Sequence, residues 1–479
     1  MKNNKYIPVI GMEIHVELAT KTKMFDRGSA DWFGKPPNTV VGPLALGLPG
    51  TLPVPNKKAI EWTILIGLAL GCQINKISRF DRKHYFYPDL PKAYQISQYD
   101  MPFCKNGNYQ LPGLAGRQAI TNYKKKIINI TRVHLEEDTG KLIHDGDDTL
   151  VDFNRSGVPL VEIVTEPDFD NSDDVKQFLE ELQILIRYLG ISDADMEKGS
   201  MRLEPNISLR KVTSNKKQET NKSKLPITNF QLPKYKVEVK NINSFRFCQK
   251  AIEYEIKRQT ELLEKGITPT QETRGWDENK QKTVSQRSKE QAHDYRYFPE
   301  PDIPPIELDD QFIANIKKMM PELPQQRINR YITEFGLNYQ EAYIIVKNKK
   351  TNNYFEKVIS ELPPLNLPLN KGENEKGGYQ SKIASLIINK KLSTNLSVNE
   401  FIEEFIKIRS PKQFDSDIVI EAIDKIIANN PDPVASYKSG KENAIMFLVG
   451  QVMKEIKGQG DAVKIRKLLE SQLKTRVSS

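Results

Sequence analysis

The sequence predicts an α+β protein, with a sheet and flanking helices in its first part and helices alone in the remainder. Separate stretches alternate apolar and polar residues with period two: Ile10–Leu18, Thr131–Asp138, Leu160–Val164, Met201–Arg210 and Val237–Asn241. Other stretches hold a helical period and stop at a glycine, namely Lys57–Leu70 before Gly71, Ser172–Leu189 before Gly190 and Ser244–Lys265 before Gly266. After the proline cluster at Pro299, Pro301, Pro304 and Pro305 the alternation gives way, from Gln311 onward, to a helical pattern. That cluster reads as a boundary, giving domains 1–300, 301–408 and 409–479.

In Ile10–Leu18, the side chains of Met12, Ile14, Val16 and Leu18 share one face, and Glu13, His15 and Glu17 share the other. Oxygen donors with one imidazole suit Mg²⁺ or Mn²⁺ better than a structural zinc. Asn56 caps the helix from Lys57. The segment Phe80–Lys92 then mixes basic and aromatic side chains ahead of a proline-fixed turn. Tyr85 and Tyr87 are candidates to stack a base, and Lys83 and Lys92 to meet phosphate; ordinary core packing explains the tyrosines equally well.

Thr131–Gly140 is the densest stretch. Val133 and Leu135 point one way, His134, Glu136 and Asp138 the other, with Glu137 at the strand end. So many ionisable groups are costly to bury unless charge or metal compensates them. Leu160–Val164 alternates again. Ser172 is expected to cap the helix whose Val175, Phe178, Leu179, Leu182, Leu185, Ile186 and Leu189 form a core stripe. Met201–Arg210 separates Arg202, Glu204, Asn206 and Ser208 from Met201, Leu203, Ile207 and Leu209, and Pro205 should keep this strand near an edge or bulge. Lys211–Lys236 is a polar insertion, after which Glu238 and Lys240 share a face. In the helical part, Asn370–Lys382 reads as a loop and Asp417–Leu473 as a small helical module. Residues 450–479 hold seven Lys/Arg against three Asp/Glu, a candidate RNA-facing surface.

One such strand alone is explained by a solvated sheet edge. Several argue for a sheet whose polar face floors a cleft. Glu13, His15, Glu136, Glu137 and Glu204 are then candidate metal ligands, and Arg155, Arg202 and Lys240 candidate phosphate partners.

A chain of 479 residues exceeds what one core supports. The net charge of +9 suggests a polyanionic partner, though the Lys- and Asn-rich composition weakens that inference. Cys72, Cys104 and Cys248 are widely spaced, so a reduced, intracellular protein is expected. Met1–Tyr6 has no signal or transit pattern, and the longest apolar run, Ile64–Leu70, is far short of a membrane span. A cytoplasmic or organellar protein without membrane contact is expected. There is no GxxxxGK[ST], GxGxxG, HExxH or close CxxC, and no Ser, Cys or Thr beside a convincing base. A carboxylate–His–Lys–Arg face without a nucleophile fits metal-bound phosphate handling, either phosphoryl transfer from a nucleotide or phosphodiester cleavage. The residues by themselves leave both open.

Gly11–Leu18, Phe80–Gln98, Thr131–Lys141, Val151–Asp168, Arg202–Arg210, Lys240–Phe245 and Asp294–Asp302 together resemble the B-type subunits of the glutamyl/aspartyl-tRNA(Gln/Asn) amidotransferases. The resemblance covers nearly the whole chain. It implies a cradle-shaped antiparallel sheet domain, a helical domain and a small tail domain that contacts tRNA, for which Lys441, Lys464, Arg466 and Lys467 are the candidates. It implies ATP and Mg²⁺ as cofactors, and a heterotrimer completed by an A-type amidase (glutaminase) subunit plus a small C-type subunit. The substrates would be Glu-tRNA(Gln), Asp-tRNA(Asn) or both. Carried over, the family's Mg²⁺ site falls on Glu13, His15, Glu136, Glu137 and Glu204, the last a methylene longer than the Asp expected in many relatives. Glu136, Glu137 and Lys83 would be catalytic, with Lys83 and Glu137 at the end of an ammonia channel. Arg155, Lys240, Arg202, Tyr85, Tyr87 and Lys92 would hold the nucleotide. Many relatives carry zinc-binding cysteines where this chain has Asp26, Gly28, Gly42 and Ala45, so no structural zinc is expected. The competing readings are a metal-dependent nuclease and a non-catalytic tRNA-binding subunit.

Overall fold

The computed structural model describes residues 5–111, 126–212, 232–288, 295–363, 378–409, 416–441, 443–456 and 462–475. The chain is α+β and divides into two compact units, Met1–Asn352 and Asn353–Ser479. The first is built on a nine-stranded sheet. In chain order its strands are β1 (Tyr6–Glu17), β2 (Gln73–Ile74), β3 (Cys104–Leu111), β4 (Lys126–Glu137), β5 (Pro159–Thr165), β6 (Met201–Lys211), β7 (Val237–Lys240), β8 (Glu272–Asp277) and β9 (Lys282–Ser288). Helices α1 (Lys57–Ala69), α2 (Ser172–Leu189) and α3 (Phe245–Glu264) interrupt them, and α4 (Asp310–Lys318), α5 (Pro324–Thr333) and α6 (Tyr339–Lys347) follow.

Across the sheet the order is β9-β8-β7-β6-β1-β5-β4-β3-β2, which places β1 in the interior. Neighbours run antiparallel, as expected, with one departure: β7 and β8 are parallel, so the sheet is mixed. Parallel strands need a long crossover, and α3 lies within the connection between these two.

Ile10, Met12, Ile14 and Val16 are fully buried and share one core with Val133, Leu135, Val161, Ile163 and Leu203, and with Ile64 of α1, Phe178 of α2 and Ile252 of α3. Each fully buried aliphatic side chain is worth about 1.5–3 kcal/mol. A one-residue slip turns every side chain to the opposite face, so this stripe fixes the register and thereby aims Glu13 and His15 away from the core.

Local signals hold with small corrections. Asn56 accepts the amides of Lys58 at 2.9 Å and Ala59 at 3.2 Å. At α2 the cap is Asn171, not Ser172: its side chain reaches the Asp174 amide at 2.8 Å, and Ser172 is the first helical residue. Pro205 stands in an interior strand, opposite Met12, rather than at the sheet edge. The β6–β7 register covers only Asn206 and Ile207, so the proline falls outside that ladder.

The proline cluster does not end the first unit. Ile303 within it and Leu308 and Ile316 beyond it are buried in the same core as β1, because their apolar side chains finish that core. Residues 213–231 of the polar insertion and 370–377 of the expected loop lie outside the described residues; 378–382 belong to a helix, Gly378–Ile388. Every regular element among the described residues of the second unit is a helix. In the tail, Val419, Ile423, Ile445, Leu448, Val452, Ile465, Leu469 and Leu473 are buried in one cluster.

Candidate metal and nucleotide site

The sheet register assembles the polar face. His15 stands opposite Glu162 across β1 and β5, and opposite Arg202 across β1 and β6. Glu162 in turn stands opposite His134 across β5 and β4. Arg202, His15, Glu162 and His134 therefore form one row over four strands. Two residues along β1, Glu13 stands opposite Glu204.

Two carboxylate-rich triads result. His15, Glu136 and Glu162 each offer a ligand atom within 4.8 Å of the other two, and so do Glu13, Glu204 and Glu238. In the first, His15 Nε2 lies 3.5 Å from Glu162 Oε2 and 3.8 Å from Glu136 Oε1. His134 Nε2 approaches Glu162 Oε2 at 3.1 Å, while its Nδ1 accepts from Arg132 Nε at 3.3 Å. The Ser97 hydroxyl donates to Glu136 Oε2 at 2.9 Å. Burial opposes a charge on His15, but Glu162, Glu204 and Glu136 outweigh it and raise its pKa to about 9. Burial likewise opposes ionisation of Glu162, yet His134 and His15 hold it well below the usual carboxylate range.

In the second triad, Asn206 Nδ2 donates to Glu13 Oε1 at 2.9 Å and Lys240 Nζ pairs with Glu204 Oε2 at 3.0 Å and Glu238 Oε1 at 3.5 Å. Thr273 donates to Glu238 Oε2 at 2.8 Å. A cavity of about 340 Å³ adjoins Glu13, lined by Gly11, Asn206, Ser208, Tyr235 and Lys236 among others. Both donor sets, one of two carboxylates with an imidazole and one of three carboxylates, suit a hard divalent cation such as Mg²⁺.

A charge cluster continues the row. Arg202 pairs with Asp138, and its Nη2 lies 3.7 Å from Glu17 Oε1. Arg155 Nε lies 3.5 Å from Asp138 Oδ2 and donates to the Thr139 carbonyl at 3.0 Å, while its Nη2 donates to the Gly140 carbonyl at 2.8 Å. Burial opposes the Asp138 charge, but Arg155 and Arg202 hold its pKa down to about 2. Burial and the neighbouring Asp138 push Glu17 up to about 8. The three cations expected to meet phosphate thus each have a carboxylate partner, which a nucleotide would have to exchange.

Glu137 departs from the expected ligand set. It shares the parity of Val133 and Leu135 on β4 and so turns from the face that carries Glu136. There it accepts from Lys92 Nζ and, at 2.9 Å, from the Ile96 amide, so Lys92 is committed to Glu137. Lys83 lies on a short strand, Asp81–His84, its ammonium 4.9 Å from the Tyr295 ring centroid. Burial opposes its charge, but Glu136 keeps its pKa above that of an ordinary lysine. Tyr85 meets Tyr295 edge-on at 5.6 Å, and Tyr87 is exposed.

Glu162, Glu238 and His134 were not among the predicted ligating residues. Each lies in an alternating strand, so the period marked its face; only the strand order reveals that Glu162 and Glu238 each complete a triad and that His134 stands beside Glu162. At the four zinc-type positions, the Asp26 carboxylate accepts the Gly28 amide at 2.6 Å, and a Cβ on Gly42 would stand 2.1 Å from Asp26 Oδ2. The carboxylate occupies the space between the two glycines. In the tail, Lys441, Lys464, Arg466 and Lys467 are exposed, and Arg466 pairs with Glu470 at 2.9 Å.

The sequence of this chain is similar to a large group of known proteins. Residues 8–314 match the GatB/GatE catalytic domain, and residues 374–473 match the GatB domain. The B-type subunit of the aspartyl/glutamyl-tRNA(Asn/Gln) amidotransferase of Caldicellulosiruptor saccharolyticus is 44% identical over 501 residues, covering 98% of this chain and 99% of its own. Its counterpart from Thermoanaerobacter sp. strain X514 is 44% identical over 497 residues, covering 98% and 99%. That from Thermotoga maritima is 41% identical over 506 residues, covering 98% and 100%. With a catalytic-domain match over more than half its length and relatives aligned end to end, this chain belongs to the GatB/GatE family.

Proposed function

We propose that this chain is the ATP-using subunit of a tRNA-dependent amidotransferase that converts Glu-tRNA(Gln), Asp-tRNA(Asn) or both to the amidated forms. Two carboxylate-rich triads side by side on the polar face of one sheet are the observation that carries this reading. A carboxylate cannot be displaced by ammonia directly, because an oxide would have to leave. A side-chain carboxylate oxygen of the aminoacyl group attacks the γ-phosphorus of ATP, ADP leaves, and an acyl phosphate results. Ammonia then attacks the acyl carbon, phosphate leaves, and the amide nitrogen gives up its extra proton.

His15, Glu136 and Glu162, and separately Glu13, Glu204 and Glu238, would hold Mg²⁺. When bound, that ion neutralises the repulsion between triphosphate and carboxylate. Ser97 and His134 orient Glu136 and Glu162 in the manner of outer-shell partners. Arg155, Arg202 and Lys240 would exchange their carboxylates for phosphate oxygens, with Tyr85 and Tyr87 as further nucleotide contacts, while Lys92 stays paired with Glu137. Lys83 would stand where ammonia enters. With no Ser or Cys nucleophile apparent in the sequence, the ammonia would come from an A-type amidase (glutaminase) subunit, with a small C-type subunit completing a heterotrimer. The absence of a thiol at Asp26, Gly28, Gly42 and Ala45 supports a loop held without zinc. The tail after residue 409 would bind tRNA. No helix among the described residues is long and apolar enough to cross a membrane, and we place the complex in the cytoplasm or in an organellar stroma or matrix.

The test combines the purified chain, its partner subunits, ATP, glutamine and Glu-tRNA(Gln) or Asp-tRNA(Asn). ATP consumption that depends on the mischarged tRNA supports the proposal. Binding without turnover favours a non-catalytic role, and strand cleavage a nuclease.

A further inference from the structure

Lys23 is a buried lysine outside the residues considered so far. It is 1% exposed. Its stem passes between two glycines: a Cβ on Gly28 or on Gly157 would each stand 3.3 Å from Lys23 Cδ. Gly157 also has φ +80°, where a side chain is strained. Its ammonium donates to the carbonyl of Asn154 at 2.8 Å and to that of Ser156 at 2.5 Å. These are the two carbonyls that flank Arg155.

The turn around Arg155 is held from several sides. The Met24 amide, next to Lys23, donates to the Gly157 carbonyl at 2.7 Å. Fully buried Asn154 accepts the Val40 amide at 2.8 Å and donates to the Pro36 carbonyl at 2.7 Å. The Gly157 amide donates to the Asp138 carbonyl at 2.9 Å. Among the described residues, only Lys23 grips both sides of Arg155 with one group. Burial lowers its pKa to about 8, against the pull of Asp26, Glu137 and Asp138. What an apolar side chain could not supply in its place is the donor for these two buried carbonyls.

We infer that Lys23 is a positioning residue: by clamping the Asn154 and Ser156 carbonyls it aims the Arg155 guanidinium at Asp138 and, in the working enzyme, at a phosphate oxygen. The inference rests on the reading of Arg155 as a phosphate partner. Removing Lys23 leaves two buried carbonyls without their donor and frees the turn that carries Arg155.

The test is a double-mutant cycle in the complete complex, with KM for ATP and kcat of tRNA-dependent ATP consumption as readouts. Lys23→Met should raise KM for ATP roughly tenfold or more, the scale of losing a group one step from a ligand. Arg155→Ala should raise it at least as much. Lys23→Met added to Arg155→Ala should change it no further, because the lysine acts through the arginine. Should Lys23→Met fold poorly, Lys23→Gln keeps one donor near the carbonyls and takes its place, with melting curves selecting the variant. Additive effects, or a lowered melting temperature with KM and kcat unchanged, would overturn the inference while leaving the role of Arg155 standing. If Arg155→Ala itself leaves KM unchanged, the reading of Arg155 falls and the inference falls with it. If the unmodified complex consumes no ATP with mischarged tRNA, it is the proposed function that fails.

Discussion

Glu136 and Glu137 are adjacent in the chain yet serve opposite faces of β4. Glu136 accepts the Ser97 hydroxyl at 2.9 Å beside His15 and Glu162, whereas Glu137 accepts the Ile96 amide at 2.9 Å together with the Lys92 ammonium. The two substitutions should therefore fail differently. Glu136→Gln should cut acyl-phosphate formation by about 10²-fold or more, the scale of removing one group that stabilises developing charge, with tRNA affinity and melting temperature near normal. Glu137→Gln strands the buried Lys92 charge, and breaking such a pair costs about 3–5 kcal/mol. Denaturant unfolding and tRNA-dependent ATP consumption on both variants separate the roles. Equal loss of turnover at equal stability would return Glu137 to the catalytic set.

The two triads predict two divalent cations per chain. Counting bound Mn²⁺ by electron paramagnetic resonance should give two sites in the unmodified protein. Glu162→Gln and Glu238→Gln should each remove one, leaving the other at its former affinity. A single site lost in both variants would mean that the triads share one ion.

What the sequence revealed, and what it withheld, follows from the same geometry. Period-two alternation placed Glu13, His15, Glu136 and Glu204 on one face, because side-chain parity along a strand is a local property. Glu162 and Glu238 alternate just as clearly. Their membership of a triad depends on β1 lying between β5 and β6, and on β7 lying beside β6, and no local period encodes strand order. Glu137 is the converse case. Its parity with Val133 and Leu135 was legible, and family likeness nonetheless placed it with the ligands. The reading of Pro299–Pro305 as a boundary meets a third limit. Prolines mark an irregular backbone, but whether a domain ends there depends on where Ile303, Leu308 and Ile316 are buried.

The tail makes an electrostatic prediction. Lys464, Arg466 and Lys467 project from a helix, Ala462–Thr475, whose Ile465, Leu469 and Leu473 are buried, and Lys441 precedes the helix Ala444–Glu455. If these cations meet the tRNA backbone, each one replaced by glutamine should lower the slope of log affinity against log salt by up to about 0.9. The measurement is a salt titration of tRNA binding by the complex. An unchanged slope in the fourfold variant would move the tRNA surface elsewhere.

Glu181 on α2 yields a pH prediction independent of the catalytic face. Its side chain is 2% exposed, its Oε2 accepts from Gln325 Nε2 at 2.7 Å, and its Oε1 has no hydrogen-bond donor among the described residues. Burial pushes its pKa up to about 7, with the Gln325 hydrogen bond and Lys347 pulling it down and Glu180 pushing it up. In the unfolded chain the group titrates near 4.3. The folded state therefore binds this proton more tightly. The stability so gained is complete below about pH 4.3 and lost as pH rises through about 7, where the folded protein must also ionise the buried acid. At 1.36 kcal/mol per unit of difference this amounts to roughly 4 kcal/mol at most. Trp32, Trp62 and Trp276 all lie in the first unit, so urea unfolding followed by tryptophan fluorescence reports on it. Between pH 5 and 8 the unfolding free energy of the unmodified protein should fall more steeply than that of Glu181→Gln, which has no proton to lose. Parallel pH dependences in the two proteins would show that Glu181 is already ionised in the fold.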